Sequence, residues 1–255
     1  MCKIGLTSNK LKTIAIISML IDHIAYYFYY MMPSTIYLVC RILGRISMPI
    51  FVFLIVQGYL KTSNIKKYIT RIFKYAIITQ VLILIISIFN TTYIPLYEVN
   101  VYEMLNILFS FALSLCLIYI IDKRNKFFNS RIYDWIMKIL VFTLITAIYI
   151  ISNIDYKFII PTMSILMYLN EIVNNKGTKL SKYIYSITLF LIIFILFIIQ
   201  EEVVLKFSMF SAIFILLYNG QLGKQSIKLK RLFYYIFPIQ HAILYLLASL
   251  IYMLT

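Results

Sequence analysis

The amino-acid sequence predicts an all-α integral membrane protein, a polytopic bundle of about nine transmembrane helices in a single domain over residues 1–255. Its composition and its apolar runs both indicate this fold class. Hydrophobic residues make up 63% of the chain and charged residues only 13%, whereas soluble domains are nearer half apolar and about a quarter charged. Apolar runs of roughly 18 or more residues recur along the chain, which indicates membrane helices rather than the short alternating segments of a β-barrel.

The apolar runs, taken in order along the chain, define the predicted spans. The first run follows three lysines and contains no small-residue cleavage site, so we expect a retained helix rather than a signal peptide. The sixth run is short, which leaves eight spans or one re-entrant segment as an alternative. The nine predicted spans cover residues 11–32, 35–60, 66–90, 104–121, 132–152, 157–172, 182–199, 203–219 and 232–254.

Basic residues cluster around alternate connections between these spans. The N-terminal segment carries three lysines, and each connection after spans two, four, six and eight has three to five basic residues in it or beside it. The other connections carry only Lys157 and Lys206, together with five acidic residues. This alternation predicts a cytoplasmic N-terminus, an outer C-terminus and a multi-pass location in the plasma membrane. Topology and lipid contact therefore account for the net charge of +15, and no nucleic-acid partner is predicted.

The first span contains two adjacent ionisable residues, Asp22 and His23. Charges are costly inside a bilayer, so those that remain usually serve a site or pair with one another. Lys12 precedes His23 by about three helical turns, which places both on one helix face with His23 about 16 Å deeper, near the membrane middle. A histidine there can take and return a proton near neutral pH, as a general base must. Asp22 lies about 100° round the helix, so we expect it to pair with a cation from another span.

The second span offers two cations, Arg41 and Arg45, which are four residues apart and share one helix face. Arg45 is expected near the membrane middle, whereas Arg41 is shallower and could reach the outer interface. One interpretation is a structural Asp22–Arg45 ion pair. The alternative is a polar chamber in which Arg45 stabilises a developing oxyanion, so that His23, Asp22 and Arg45 are together the candidate catalytic residues.

Further polar residues are candidates for binding. His241 of the last span is expected at a depth like that of His23, where it could serve either structure or function. Asn106, near the outer end of span four, could contact an acceptor, and so could Arg41. The tyrosines at 26–30 are interpreted as interfacial anchors. Basic residues at the start of span three provide either positive-inside charge or a site for the phosphates of a cytosolic donor: Lys66, Lys67 and Arg71. The three cysteines have no metal-type spacing, and no metal site is predicted.

Four stretches carry a family resemblance: KLKTIAIISMLIDHI (10–24), RILGRISMPIFVFLIVQGYL (41–60), KKYITRIF (66–73) and LNILFSFALSL (105–115). Together with the closing IFPIQHAILYLL (236–247), they resemble the TraX family, whose best-known members acetylate the N-terminus of conjugative pilin. The most specific elements are the Asp-His pair and the GRxxxPxF core that begins at Gly44. The spacing of Lys12 and His23 is also similar to that of a larger group of membrane acyltransferases that modify sugars, which usually carries Arg at the first position.

The resemblance implies an acetyltransferase that uses acetyl-CoA as donor at the cytoplasmic face. Lys12, Lys66, Lys67 and Arg71 would bind the donor, and His23 would deprotonate an amine or hydroxyl of the acceptor. The acceptor would be a peptide or pilin N-terminus or a surface glycan, and the sequence does not distinguish these. A proton-coupled transporter or flippase, and a non-catalytic assembly factor for a surface appendage or secreted peptide, remain alternatives.

Overall fold

A computed structural model describes residues 5–90, 104–122, 124–154, 156–174, 179–198, 203–223 and 227–254. These residues are mostly helical, with one parallel pair of two-residue strands, β1 (Met104–Leu105) and β2 (Asn153–Ile154). The all-α fold class is therefore confirmed. The helices are α1 (Ser8–Tyr27), α2 (Ser34–Gly44), α3 (Ser47–Lys61), α4 (Ile65–Asn90), α5 (Ile107–Ile121), α6 (Arg131–Ile151), α7 (Ile159–Asn174), α8 (Lys179–Ile198), α9 (Val203–Lys206), α10 (Ser211–Leu216) and α11 (Ile227–Leu254).

Three helical segments of the described chain are long and apolar enough to cross a membrane: Ser34–Lys61, Ile65–Ile86 and Arg131–Ile151. Five shorter apolar helices accompany them, at Ile107–Ile121, Ile159–Val173, Ile184–Ile195, Val203–Leu216 and Tyr235–Ile251. Helix α6 exposes large apolar side chains on much of its surface, which suits contact with lipid. The chain is thus a helical membrane protein, while the count of nine spans, their sidedness and the single domain stay predictions.

Two predicted spans differ from the structure. Predicted span two coincides with the candidate span Ser34–Lys61, but a two-residue turn interrupts it, because α2 ends at Gly44 and α3 begins at Ser47. Pro49 lies in the first turn of α3, where a missing backbone N–H leaves no helical hydrogen bond unmade. Predicted span eight is also divided, into α9, the 3-10 turn Phe207–Phe210 and α10.

Helix α1 occupies an inner position in the bundle and packs against α2, α3 and α11. Helix α3 is the most buried element and also contacts α5, α7 and α10. Its side chains form the centre of the main hydrophobic core, where Ile50, Phe53 and Tyr59 are at most 1% exposed. Ionisable residues on α1 and at the α2–α3 junction therefore lie against a tightly packed wall.

One end of the bundle is organised around basic residues. The N-terminal segment runs beside the residues after α10, and the backbone N–H of Leu6 donates to the carbonyl of Leu217 at 2.8 Å. Lys61, the last residue of α3, donates from Nζ to Tyr218 Oη at 2.6 Å and to the carbonyl of Gly220 at 2.9 Å. These contacts bring the beginning of α1 and the end of α3 together at the same end of the bundle.

A polar cluster joins the segment between α5 and α6 to α3 through hydrogen bonds. Tyr59 Oη donates to Asp122 Oδ2 at 3.0 Å, and Asn125 Nδ2 donates to Tyr59 Oη at 2.7 Å. Arg124 binds both carboxylate oxygens of Asp122, at 2.7–3.1 Å. Burial by itself would raise the pKa of Asp122, but the hydrogen bonds from Arg124 and Tyr59 outweigh burial and hold that pKa below its usual range. Asp122 is therefore an ionised anchor for this connection.

Candidate functional site

A cavity of about 820 Å³ extends through the bundle between α1, α3, α4 and α11. We call one end of it the basic end, because Lys12, Lys61 and Arg71 line it there, and the other the far end, where Asn106 and Tyr156 line it. The volume falls within the range of sites for small molecules and cofactors. The cavity wall thus includes residues from both ends of the bundle.

Asp22 is held by two arginines in the far half of the cavity. Arg41 Nη1 donates to Asp22 Oδ1 at 2.9 Å, and Arg45 Nη1 lies 3.6 Å from Oδ2. Arg45 Nη1 also donates to Tyr156 Oη at 3.1 Å. The prediction that Asp22 pairs with a cation of another helix agrees with this geometry, although Arg41 rather than Arg45 makes the shorter contact.

The sequence position of Arg41 suggested that its side chain could reach the outer interface. In the structure it does not. Its side chain is only 16% exposed and turns inward to Asp22. Its guanidinium carbon lies 5.7 Å from the ring centre of Tyr26 and 5.9 Å from that of Tyr37, within the range of cation–π attraction. The close contact with the carboxylate and these two rings holds the Arg41 side chain inside the protein.

The close approach of α1 and α2 depends on Gly44. A Cβ atom at this position would lie 2.2 Å from the Asp22 Cβ, well inside van der Waals contact. Ser18 adds a second contact between the helices, since its hydroxyl donates to the carbonyl of Leu43 at 2.5 Å and to that of Gly44 at 3.1 Å. The absent side chain therefore lets Asp22 lie directly on the last turn of α2, beside both arginines.

His23 faces the other neighbour of α1, helix α11. Its ring centre lies 4.8 Å from that of His241 and 6.2 Å from that of Phe237, and all three residues line the cavity. The His23 Nδ1 atom is buried and has no hydrogen-bond partner among the described residues. Adjacent residues of a helix point about 100° apart. Asp22 therefore faces α2, whereas His23 faces α11.

Tyr27 belongs to the site rather than to an interface. Its side chain is 4% exposed, and its hydroxyl lies 3.0 Å from His241 Nδ1. The anchor interpretation suits Tyr29 and Tyr30 better, which are 48% and 67% exposed. Sequence reasoning missed Tyr27, although its position four residues after His23 places both on one helix face.

Asn106 lines the cavity, but its side chain is engaged in structure. Its Oδ1 caps α5 by accepting from the backbone N–H of Leu108 at 3.1 Å. Its Nδ2 donates to the carbonyl of Ala76 and to Gln80 Oε1, both at 2.9 Å. Asn106 therefore caps α5 and joins it to α4. The predicted contact between Asn106 and the acceptor substrate has no structural support.

The four residues predicted to bind the donor separate into two pairs. Lys12 and Arg71 line the cavity at its basic end, whereas Lys66 and Lys67 are exposed and lie outside its lining. Lys61 joins the first pair, although its position at a loop suggested only positive-inside charge. The cations at the basic end of the cavity are therefore distributed over α1, α3 and α4.

The fold and this site together define a class: a helical membrane protein with an ionisable cavity inside the bundle. The chain belongs to the TraX family, whose profile, described as TraX protein, matches residues 7–248. Over 77 residues it is 35% identical to the probable fimbrial assembly protein FimC, serogroup H1, of Dichelobacter nodosus. That match covers 30% of this chain and 31% of the relative. No solved structure matches the chain. The resemblance seen in the sequence motifs is thus confirmed at the level of the family.

Proposed function

We propose that the chain is a membrane-embedded acyltransferase. It transfers an acetyl group from acetyl-CoA to an amine or hydroxyl of a peptide, pilin or surface-glycan acceptor. The observation that carries the proposal is the continuity of the cavity, whose wall includes Lys12 and Arg71 at the basic end, His23 at mid-depth and Arg45 beyond it. A donor and an acceptor that enter from opposite ends would meet at His23.

The basic end suits the donor. Coenzyme A carries phosphate groups, which arginine and lysine bind through charge-assisted hydrogen bonds. Lys12, Lys61 and Arg71 line the cavity on the side that the distribution of basic residues assigns to the cytoplasm. The acetyl thioester would then project along the cavity towards His23.

His23 serves as general base in the proposed reaction. It removes the proton from the acceptor amine or hydroxyl while the acceptor atom attacks the thioester carbonyl carbon, and the carbonyl electrons move onto oxygen. The guanidinium of Arg45 stabilises this oxyanion, and Asp22 keeps the guanidinium in position. When the carbonyl re-forms, the carbon–sulfur bond breaks and the departing thiolate takes the proton back from His23. Atoms and charges balance without an acyl-enzyme intermediate.

The far end suits an acceptor that is presented at the outer side of the plasma membrane. The relative from Dichelobacter nodosus is named a fimbrial assembly protein, which favours a pilin-type acceptor over a glycan. In that setting, the N-terminal amine of the subunit would pass Tyr156, whose hydroxyl accepts a hydrogen bond from Arg45 at 3.1 Å.

Replacement of His23 by Gln tests the proposal. In membrane vesicles supplied with radiolabelled acetyl-CoA and an acceptor extract, His23→Gln is expected to lower acetyl transfer by at least about 100-fold, because it removes the base. Ile24→Ala is the matched control, since Ile24 is adjacent, 40% exposed and outside the cavity lining. Wild-type rates in His23→Gln vesicles, or no transfer by the wild-type protein, would contradict the proposal.

The name of the relative also favours a second candidate, a non-catalytic factor for appendage assembly. A factor of this kind needs the folded bundle but no base or oxyanion site. The triple variant Asp22→Asn, His23→Gln, Arg45→Gln would then still support assembly of the appendage when it is present at wild-type levels. An acyltransferase predicts that the triple variant accumulates but leaves the acceptor without its acetyl group, which mass spectrometry of the surface peptides would detect.

A further inference from the structure

Three buried polar atoms where α1 meets α11 have no hydrogen-bond partner among the described residues. They are His23 Nδ1 and the two amide atoms of Gln240, Oε1 and Nε2. Leaving a buried donor or acceptor unsatisfied is costly, so native proteins seldom retain such groups without a reason. Here the unsatisfied atoms belong to neighbouring side chains.

Helix α11 places Gln240 beside His23. The rings of Phe237 and His241, on the same turn of α11, both contact the His23 ring. Gln240 precedes His241, is only 4% exposed, and directs its amide towards the imidazole without completing a hydrogen bond. Catalytic hydrogen bonds are often long before the substrates bind and tighten in the complex. The two side chains are thus positioned for a contact that is not yet made.

We propose that Gln240 is the positioning residue that fixes the tautomer of His23. The proposal rests on the proposed function and deepens it. Gln240 Oε1 accepts a hydrogen bond from His23 Nδ1–H, so that the proton stays on Nδ1 and Nε2 keeps its lone pair for the cavity. Nδ1 is buried while the residue lines the cavity, so the proposal assigns Nε2 as the nitrogen that removes the acceptor's proton.

Two other polar neighbours of His23 have contacts elsewhere. Asp22 binds Arg41 on the α2 side, and His241 Nδ1 is bound by the hydroxyl of Tyr27. Gln240 Oε1, a buried acceptor on α11 without a partner among the described residues, is therefore available to the Nδ1–H.

An amide suits this position for an electrostatic reason. A carboxylate would add another charge inside the bilayer, where charges are costly. The amide carbonyl is neutral, yet it directs the negative end of its dipole at Nδ1–H and still favours the imidazolium that forms when Nε2 accepts a proton. The base is thus oriented without being held permanently protonated.

Nitrogen NMR can read the tautomer directly, because His23 and His241 are the two histidines of the chain. Protein labelled with ¹⁵N-histidine gives two ring systems, which His241→Asn assigns. In the wild-type protein we expect His23 to carry its proton on Nδ1, and in Gln240→Leu we expect the proton to redistribute towards Nε2. The matched control is Gln57→Leu, which removes a buried amide from α3 and should leave the His23 signals unchanged.

The kinetic test separates positioning from folding. Gln240→Leu is expected to lower kcat for acetyl transfer roughly tenfold to a hundredfold with little change in KM for acetyl-CoA, because the wrong tautomer removes the base but not the donor site. Gln240→Glu is isosteric, so it keeps the packing even if the Leu variant does not fold. Its carboxylate favours the imidazolium, so the acidic limb of the pH profile moves to higher pH.

Two results would overturn the inference: a wild-type His23 protonated on Nε2, or a tautomer and pH profile that stay the same in the Gln240 variants. The NMR readout needs no turnover. A wild-type protein that shows the Nδ1–H tautomer but transfers no acetyl group would therefore remove the proposed function and leave the role of Gln240 in orienting His23 supported.

Discussion

Gly44 sets the distance between α1 and α2, and with it the position of Asp22. Replacement by Ala introduces a Cβ that would lie 2.2 Å from the Asp22 Cβ. The helices must separate to accept it, so we expect Gly44→Ala to lower the free energy of unfolding by about 1–3 kcal/mol, as overpacked cores do. Thermal unfolding in detergent measures the loss.

Leu43→Ala is the control for this variant. Leu43 is 44% exposed, and its carbonyl, which accepts from Ser18, remains in place after substitution. We expect its midpoint to stay near that of the wild-type protein. Equal midpoints of thermal unfolding for Gly44→Ala and Leu43→Ala would show that α1 and α2 leave room for a Cβ at position 44.

Side chains near the centre of the site were predictable to different degrees. Charge inside an apolar run identifies Asp22, His23 and Arg45 at once, because such residues are rare in membrane helices. Helical spacing also predicts that the first two face different neighbours. Gln240 and the preference of Asp22 for Arg41 could not be predicted, since they depend on how α11 and α2 are rotated against α1, which sequence periodicity does not specify.

Helix α5 begins at a cap that also joins it to α4. Replacing Asn106 by Ala removes the acceptor for the Leu108 N–H and leaves the Ala76 carbonyl and Gln80 Oε1 without their amide donor. We expect a loss of about 1–2 kcal/mol in the free energy of unfolding, with no change in KM for the acceptor in the protein that remains folded. Thermal unfolding and acceptor titration measure the two quantities.

Thr7→Ala provides a matched comparison, because Thr7 caps α1 through a longer, exposed contact of 3.4 Å to the Lys10 N–H. Thr7→Ala should lower the free energy of unfolding by less than Asn106→Ala does. A rise in acceptor KM for Asn106→Ala without loss of stability would restore the binding role that its sequence position suggested.

Most helix bounds follow from apolar runs and the basic residues between them. The division of predicted span two at Arg45 was harder to see, because α2 and α3 read as one continuous apolar run. Gly44 and Pro49 are compatible with a helix end and a new first turn, yet either can also occur inside a membrane helix. Arg45 and Ile46, which separate the two helices, keep helical-region backbone angles, so the break is a slight one.

The charge distribution predicts the orientation of the bundle in the membrane, which can be measured on either side of α6. In a background with Cys2, Cys40 and Cys116 replaced by Ser, a membrane-impermeant maleimide should label Lys157→Cys in intact cells. Lys126→Cys, before α6, should react only after permeabilisation, because positive-inside charge places it in the cytoplasm.

Both positions are exposed, so access to solvent does not differ between them. Labelling of the two in the reverse order would invert the orientation, and with it the sides assigned to donor and acceptor. Labelling of both from one side would show that α6 does not cross the bilayer.

The Asp22–Arg41 contact also bears on how the chain enters the membrane during synthesis. Helix α1 carries Lys10, Lys12 and Asp22, and it is not among the segments whose length and composition alone suit a crossing. The Asp22 carboxylate can pair with the Arg41 guanidinium only after α2 has been synthesised. In the folded protein, Asp22 Oδ1 and Arg41 Nη1 are 2.9 Å apart. We therefore expect the two segments to partition into lipid as a hairpin, with the first helix leaving the translocon after the second has been made.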